Sequence, residues 1–226
     1  MSVNEDVQSA LDWLKEHSTP NDYANLARFG ITADKAFGVS MANIQKLAKI
    51  IGRDHTLAAA LWKTEWYEAR MLTSFVDDPT KVTVAQMDKW CRDFDNWGIC
   101  DTLCFKLFDQ TPHAWGRVAA WGDKPEEFVK RASFALLASL ALHDKTATDS
   151  QFLENFPLIE RAAVDDRNFV KKGVNWALRS IGRRNAVLNA ASIVLSKRLA
   201  ASKEAAPRWI GKDALREFAK VAARKG

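Results

Sequence analysis

Apolar residues return every three or four positions along most of this chain, the spacing of one buried helix face, and no segment alternates as a half-buried strand does. Val7, Ala10, Leu11 and Leu14 mark a first amphipathic helix. Thr19-Pro20 reads as the cap and first turn of a second, which Gly30 ends before a loop running to Ser40. Ser40 opens a helix whose Met41, Ile44, Leu47, Ala48 and Ile51 share a face up to Gly52. Asp54 opens the short segment Leu57 to Trp62, and Thr64 opens the next, through Trp66, Ala69, Leu72 and Phe75 to the break at Asp77-Asp78-Pro79. A capping box, Thr83-x-x-Gln86, begins a helix through Trp90, and Asn96 caps one beginning at Trp97.

In the second half, Thr111-Pro112 and Lys124-Pro125 each start a helix. The second of these, Phe128 to Leu140, is apolar nearly all round and therefore central, with Arg131 its exception. Thr148-x-x-Gln151 caps a helix through Phe152, Phe156 and Ile159. Asp166 caps Arg167 to Ile181, whose stripe of Val170, Val174, Ala177, Leu178 and Ile181 is buried, leaving Lys171, Lys172, Asn175, Trp176 and Arg179 on other faces. A helix from Ala186 to Ala201 follows Arg183-Arg184, and Pro207-Arg208-Trp209-Ile210 leads into a last one with Leu215, Phe218 and Val221. About a dozen helices joined by short turns, pairing at roughly thirty to forty residues, predict an all-α fold: a HEAT-like helical-repeat solenoid of stacked antiparallel pairs.

Charge changes this picture more than composition does. The net charge is +5, but residues 161–226 hold 16 Lys and Arg against 5 Asp and Glu, while residues 1–160 hold 17 against 23. A cationic segment laid on helices rather than in a tail suits a polyanion such as nucleic acid, or else a solubilising surface with cations at helix ends. The N-terminus lacks the basic-then-apolar order of a signal peptide and no apolar run reaches membrane-spanning length, so a cytoplasmic protein with no membrane partner is expected. Cys91, Cys100 and Cys104 form no disulfide framework and, with His113 as the only nearby fourth ligand, no metal clip.

The candidate chemistry centres on Phe94-Asp95-Asn96-Trp97-Gly98-Ile99-Cys100-Asp101. A helix capped by Asn96 puts Trp97, Cys100, Asp101 and Cys104 on one stripe, an aromatic face beside a carboxylate, which together hold a cation. The plainer alternative is a core Trp and a solvated acid. Arg131 is costly to bury alone, so it pairs with Asp101 or reaches a ligand. A curved stack would gather Trp97, Asp101, Arg131 and Trp176 into one cleft, whereas a bundle would bury them apart. P-loop, Gly-x-Gly-x-x-Gly, His-Glu-x-x-His and Gly-x-Ser-x-Gly patterns are absent from the sequence.

That stretch, with Glu127-Phe128-Val129-Lys130-Arg131-Ala132 and the run from Arg167 through Lys171-Lys172-Gly173-Val174-Asn175-Trp176 to Arg179, resembles the AlkD-like DNA alkylation repair family from Gly38-Val39-Ser40 to Arg208-Trp209-Ile210. The resemblance implies one AlkD-like α-solenoid domain over 1–226. It also implies a DNA glycosylase that excises cationic N-alkylated purines from duplex DNA in base-excision repair, without cofactor or metal and as a monomer. It casts Trp97 and Trp176 as the site's aromatics, Asp101 as its acid, and Arg131 and Arg179 as phosphate contacts. The cationic context adds Lys171, Lys172, Arg183 and Arg184 to those contacts. Gly98 departs from the family, where an acidic residue commonly follows the first Trp. Some relatives of this fold lack excision activity, so a non-catalytic protein recognising DNA structure is the alternative, and a protein-binding helical array the third reading.

Overall fold

The computed structural model describes residues 2–223, with the side chains of the last helix described through Lys220, and every regular element in that span is helical. Val221, expected on the face of the last helix, and Arg224 and Lys225 of the basic segment lie outside the described side chains. The chain divides into two compact units, Met1–Pro112 and His113–Gly226. No described helix is long and apolar enough to cross a membrane.

The first unit holds α1 (Val3–Glu16), α2 (Pro20–Arg28), α3 (Met41–Ile51), α4 (His55–Trp62), α5 (Tyr67–Val76), α6 (Val84–Arg92) and α7 (Trp97–Lys106), closed by a 3-10 turn at Phe108–Gln110. Caps decide most starts. The side-chain oxygens of Thr19, Ser40, Asp54, Thr83 and Asn96 accept the amide three residues on, which satisfies an otherwise orphaned donor of each first turn. α5 is buried on most sides and packs against α1, α3, α4 and α7, so it is the core of this unit.

Two local expectations give way to longer-range partners. Thr64 does not cap α5: its hydroxyl donates to the Leu61 carbonyl at 2.7 Å, closing α4, and α5 starts at Tyr67, whose amide donates to Lys35 O at 2.8 Å. Gln86 does not complete the capping box, because its amide nitrogen donates to the buried Asp77 carboxylate at 2.7 Å. Burial pushes the Asp77 carboxyl up, against His55, Gln86 and the Asp78 amide, which hold it down. Glu68, fully buried on α5, accepts the amides of Phe37, Gly38 and Val39 at 2.9, 2.7 and 3.3 Å and so clasps the loop before α3.

The second unit holds α8 (Ala114–Gly122), α9 (Glu127–His143), α10 (Asp149–Leu153), α11 (Phe156–Ala162), α12 (Asn168–Gly182), α13 (Ala186–Ala200) and α14 (Ala205–Ala223). α9 is buried from Arg131 to Ala141, as its all-round apolarity predicts, and lies between α8 and α12. α12 in turn packs against α9, α14, α13 and α11, while α8 with α9 and α13 with α14 pack as consecutive pairs. The stretch after Thr148 is two helices, not one. Pro157 has no N–H to continue the ladder, and the chain breaks at Glu154-Asn155, where Asn155 Nδ2 donates to Gln151 O at 2.8 Å.

The remaining starts shift for similar reasons. α8 begins at Ala114 rather than Thr111-Pro112, since Thr111 donates its hydroxyl to Phe108 O at 2.8 Å. Asp166 does not cap α12. Its neighbour Asp165 accepts from Lys130 Nζ at 2.9 Å and from Arg167 Nη2 at 2.6 Å, and these partners hold that carboxyl far below its ordinary range. α14 begins at Ala205 and takes Pro207 into its first turn, where the missing N–H is harmless.

Candidate nucleic-acid interface

In the first unit the candidate residues share α7. Asn96 accepts the Ile99 amide at 3.0 Å, which starts the helix at Trp97. The expected stripe divides at the surface: Cys100 and Cys104 are fully buried, while Trp97 and Asp101 are half-buried and reach the edge. The Trp97 indole is not loose. Its Nε1 donates to the Phe29 carbonyl at the end of α2, at 3.0 Å, so the ring plane is set by a residue 68 positions away. Burial pushes the Cys104 thiol well up, which removes it as a nucleophile. Among the described residues no three His, Cys, Asp or Glu side chains gather as metal ligands.

Gly98 faces inward. A Cβ there would lie 2.8 Å from the Tyr67 hydroxyl, 3.1 Å from Ile31 Cδ1 and 3.2 Å from Asn96 Oδ1. The acidic residue that the family commonly carries after the first Trp has no room here, and Tyr67 occupies that space instead. Burial, and then the nearby Glu68 and Asp95 carboxylates, push the Tyr67 phenol above its ordinary range, so it stays a neutral hydroxyl. A cleft of about 230 Å³ opens beside it, lined by Lys35 and Arg70 against Asp34, Glu65 and Asp95, a small acidic excess, and Lys35 and Glu65 pair at 2.8 Å.

In the second unit Arg131 is only 6% exposed. Its Nη1 donates to the Phe169 carbonyl at 2.7 Å and its guanidinium lies 5.8 Å from the centre of the Phe169 ring, which ties α9 to the first turn of α12. Gly173 packs beside the Arg131 stem. Trp176, three residues on, is half-buried, and Lys172 is exposed.

The other candidate cations on α12 form a row facing α14. Lys171 Nζ sits 5.2 Å from the centre of the Trp209 ring, Asn175 Nδ2 donates to Asp213 at 2.7 Å, Arg179 Nη1 lies 3.5 Å from the same carboxylate, and Arg183 pairs with Glu217. The partners run in the same order on both helices at four-residue spacing, so α12 and α14 lie side by side in parallel. Asn175, expected on an outer face, is 3% exposed because it belongs to this row. Asp213 and Glu217 were not singled out by sequence reasoning. Their one signal is a four-residue spacing that matches the one on α12.

Arg184 is a structural residue rather than a surface cation. Its guanidinium donates to the carbonyls of Ala141, Asp144 and Ala147 at 3.0, 2.6 and 3.1 Å and stacks 4.7 Å from the Phe152 ring centre, closing the turn after α9. Removing it leaves three part-buried carbonyls without this donor and takes away the stacking on Phe152, so Arg184→Ala is expected to lower the melting temperature by about 5–10 °C. Thermal unfolding followed by circular dichroism checks this, with Lys172→Ala as the exposed control that melts like the parent.

The family model described as DNA alkylation repair enzyme matches residues 10–218. The chain is also similar in structure to a protein described as one of a new family related to the HEAT-like repeat DNA glycosylases with affinity for branched DNA structures. The TM-score is 0.77 at 16% identity, over 93% of this chain and 94% of that one. This likeness bears on the fold, which is all-helical and HEAT-like, as the periodicity predicts. No curated protein matches the chain.

Proposed function

Because the chain belongs to the DNA alkylation repair enzyme family, we propose that it is a DNA glycosylase excising cationic purines alkylated at ring nitrogen 3 or 7 from duplex DNA. The observation that carries the proposal is the first two turns of α7, where an indole held by a hydrogen bond to Phe29 O and a carboxylate one turn on both reach the surface beside the buried Cys100 and Cys104. A purine alkylated on a ring nitrogen already carries positive charge and leaves without protonation. As the N-glycosidic bond breaks, its electron pair neutralises the base and the positive charge passes to C1′ and the ring oxygen of the sugar. Asp101 and the face of Trp97 stabilise that charge, and water adds to C1′ while its proton passes to Asp101 or solvent. The chemistry needs no cofactor. Selectivity then follows from the lability of the lesion, so neutral, stable adducts are poor substrates.

Lys171, Lys172, Arg179 and Arg183 are proposed to meet phosphates, whereas Arg131, buried and bonded to the Phe169 carbonyl, is left out as Arg184 is. At about 0.9 counterion released per phosphate, four such contacts give a slope near −3 to −4 in a plot of log affinity against log salt. Fluorescence anisotropy on a labelled duplex checks this, and salt-insensitive binding would contradict the assignment. Incubation of the purified protein with methylated duplex DNA, followed by chromatography of released base, tests the activity itself. Time-dependent appearance of free methylated purine supports the glycosylase. Salt-sensitive binding with no released base supports the second reading, a non-catalytic DNA-structure binder, which the solved relative with affinity for branched DNA favours.

A further inference from the structure

We propose that Trp209 is a stacking platform for an unpaired DNA base, with Lys171 holding the phosphate beside it. The inference rests on the reading of this chain as a DNA-binding protein and names a place on α14 where a non-duplex segment is held. Trp209 is 40% exposed, the one aromatic among the large exposed side chains of the described second unit. Its neighbours Ala206, Ile210 and Ala214 are buried and supply the packing of α14, so the indole is not required to fill the core. A ligand that covers the exposed part of the ring therefore gains apolar contact without disturbing the core.

What surrounds the ring selects the cover. Lys171 Nζ lies 5.2 Å from the ring centre, a cation held by the π face yet close to solvent. Lys172 follows it on α12, Lys212 stands one turn beyond Trp209, and Lys203 precedes α14; all three are exposed. Arg208 is anchored by donating to the Lys203 carbonyl at 3.0 Å, which fixes the approach to the helix. The acids of this stretch are Glu204, which is exposed, and Asp213, which is engaged by Asn175, Arg179 and Arg216. The balance around the indole is cationic, complementary to a phosphate chain. A paired duplex hides its base faces in the stack, so an indole gains little from it. A base in a flap, gap or branch exposes a π face and gains a sequence-tolerant stacking contact while Lys171 meets the adjoining phosphate.

The test compares two probes on the full-length protein by anisotropy: a blunt duplex, and the same duplex carrying a single-stranded thymidine flap. The parent is expected to bind the flapped probe about tenfold tighter, and Trp209→Ala to bring that ratio near one. Trp209→Phe keeps the packing and part of the ring face, so its ratio falls between the two; it carries the test if circular dichroism shows that Trp209→Ala is unfolded. A parent that binds both probes equally, or variants whose ratio equals that of the parent, would overturn the proposal and leave Trp209 as a cover for the α12–α14 contact. Base release by the parent, measured in parallel, separates this inference from the glycosylase reading. Flap preference without released base keeps the platform and removes the activity; released base without flap preference does the reverse.

Discussion

Asp101→Asn is expected to slow the release of alkylated purines from duplex DNA by about 10- to 1,000-fold, the scale of losing one preorganised electrostatic group. The substitution keeps the size of the side chain and part of its hydrogen bonding, and removes only the charge that would stabilise the developing sugar cation. Affinity for undamaged duplex should hold or rise slightly, because a negative charge near phosphates has gone. The effect belongs at the larger end of that range. Position 98, where the family commonly has another acid, is a glycine packed against Tyr67 and Ile31, so no carboxylate at that position can substitute. Single-turnover base release and anisotropy on the same preparations decide the matter. Full excision by Asp101→Asn, or equal loss of binding and excision, would make the carboxylate structural and place the chemistry elsewhere.

Gly211→Ala is expected to destabilise the protein by about 2–4 kcal/mol, a drop of roughly 5–15 °C in melting temperature for a chain of this size. The sign is the informative part. Glycine to alanine inside a helix ordinarily gains about 1 kcal/mol of propensity. Here the added carbon would meet the Ala200 nitrogen, the Ser196 carbonyl oxygen and the Ala200 Cα of α13, backbone atoms that cannot rotate aside. α13 and α14 must then separate, opening the contact around Ile210, Leu195 and Leu199, which are nearly or fully buried. α14 also presents Asp213 and Glu217 to α12, so the same variant should loosen Arg179 and Arg183. Melting within a degree or two of the parent would show that the two helices are not so closely held.

The caps at Thr19, Ser40, Asp54, Thr83, Asn96 and Thr148 were legible because each is a contact over three residues, decided by a side chain and an amide it cannot avoid. The buried stripe of α12 was legible for the same reason, as a period. What escaped was settled across tens of residues. Gln86 abandons its cap for Asp77, Arg184 reaches carbonyls some forty positions back, and Trp97 takes its plane from Phe29. Asn175 and Arg179 look like outer-face residues until α14 is laid beside them, and nothing in the local pattern says which helix that will be. Of the candidate site, Trp97 and Asp101 follow from a helix start and a period, and the allocation of cations between phosphate and protein does not.

The Glu68 carboxylate makes an irregular segment behave as part of the core. Phe37, Gly38 and Val39 lie between helices and take no part in a backbone ladder, yet their amides end on two buried carboxylate oxygens rather than in water. In deuterium oxide these three hydrogens should therefore exchange on the timescale of α5 opening rather than that of a surface turn, slowing to the rate of a unit that must unfold before its loop is wetted.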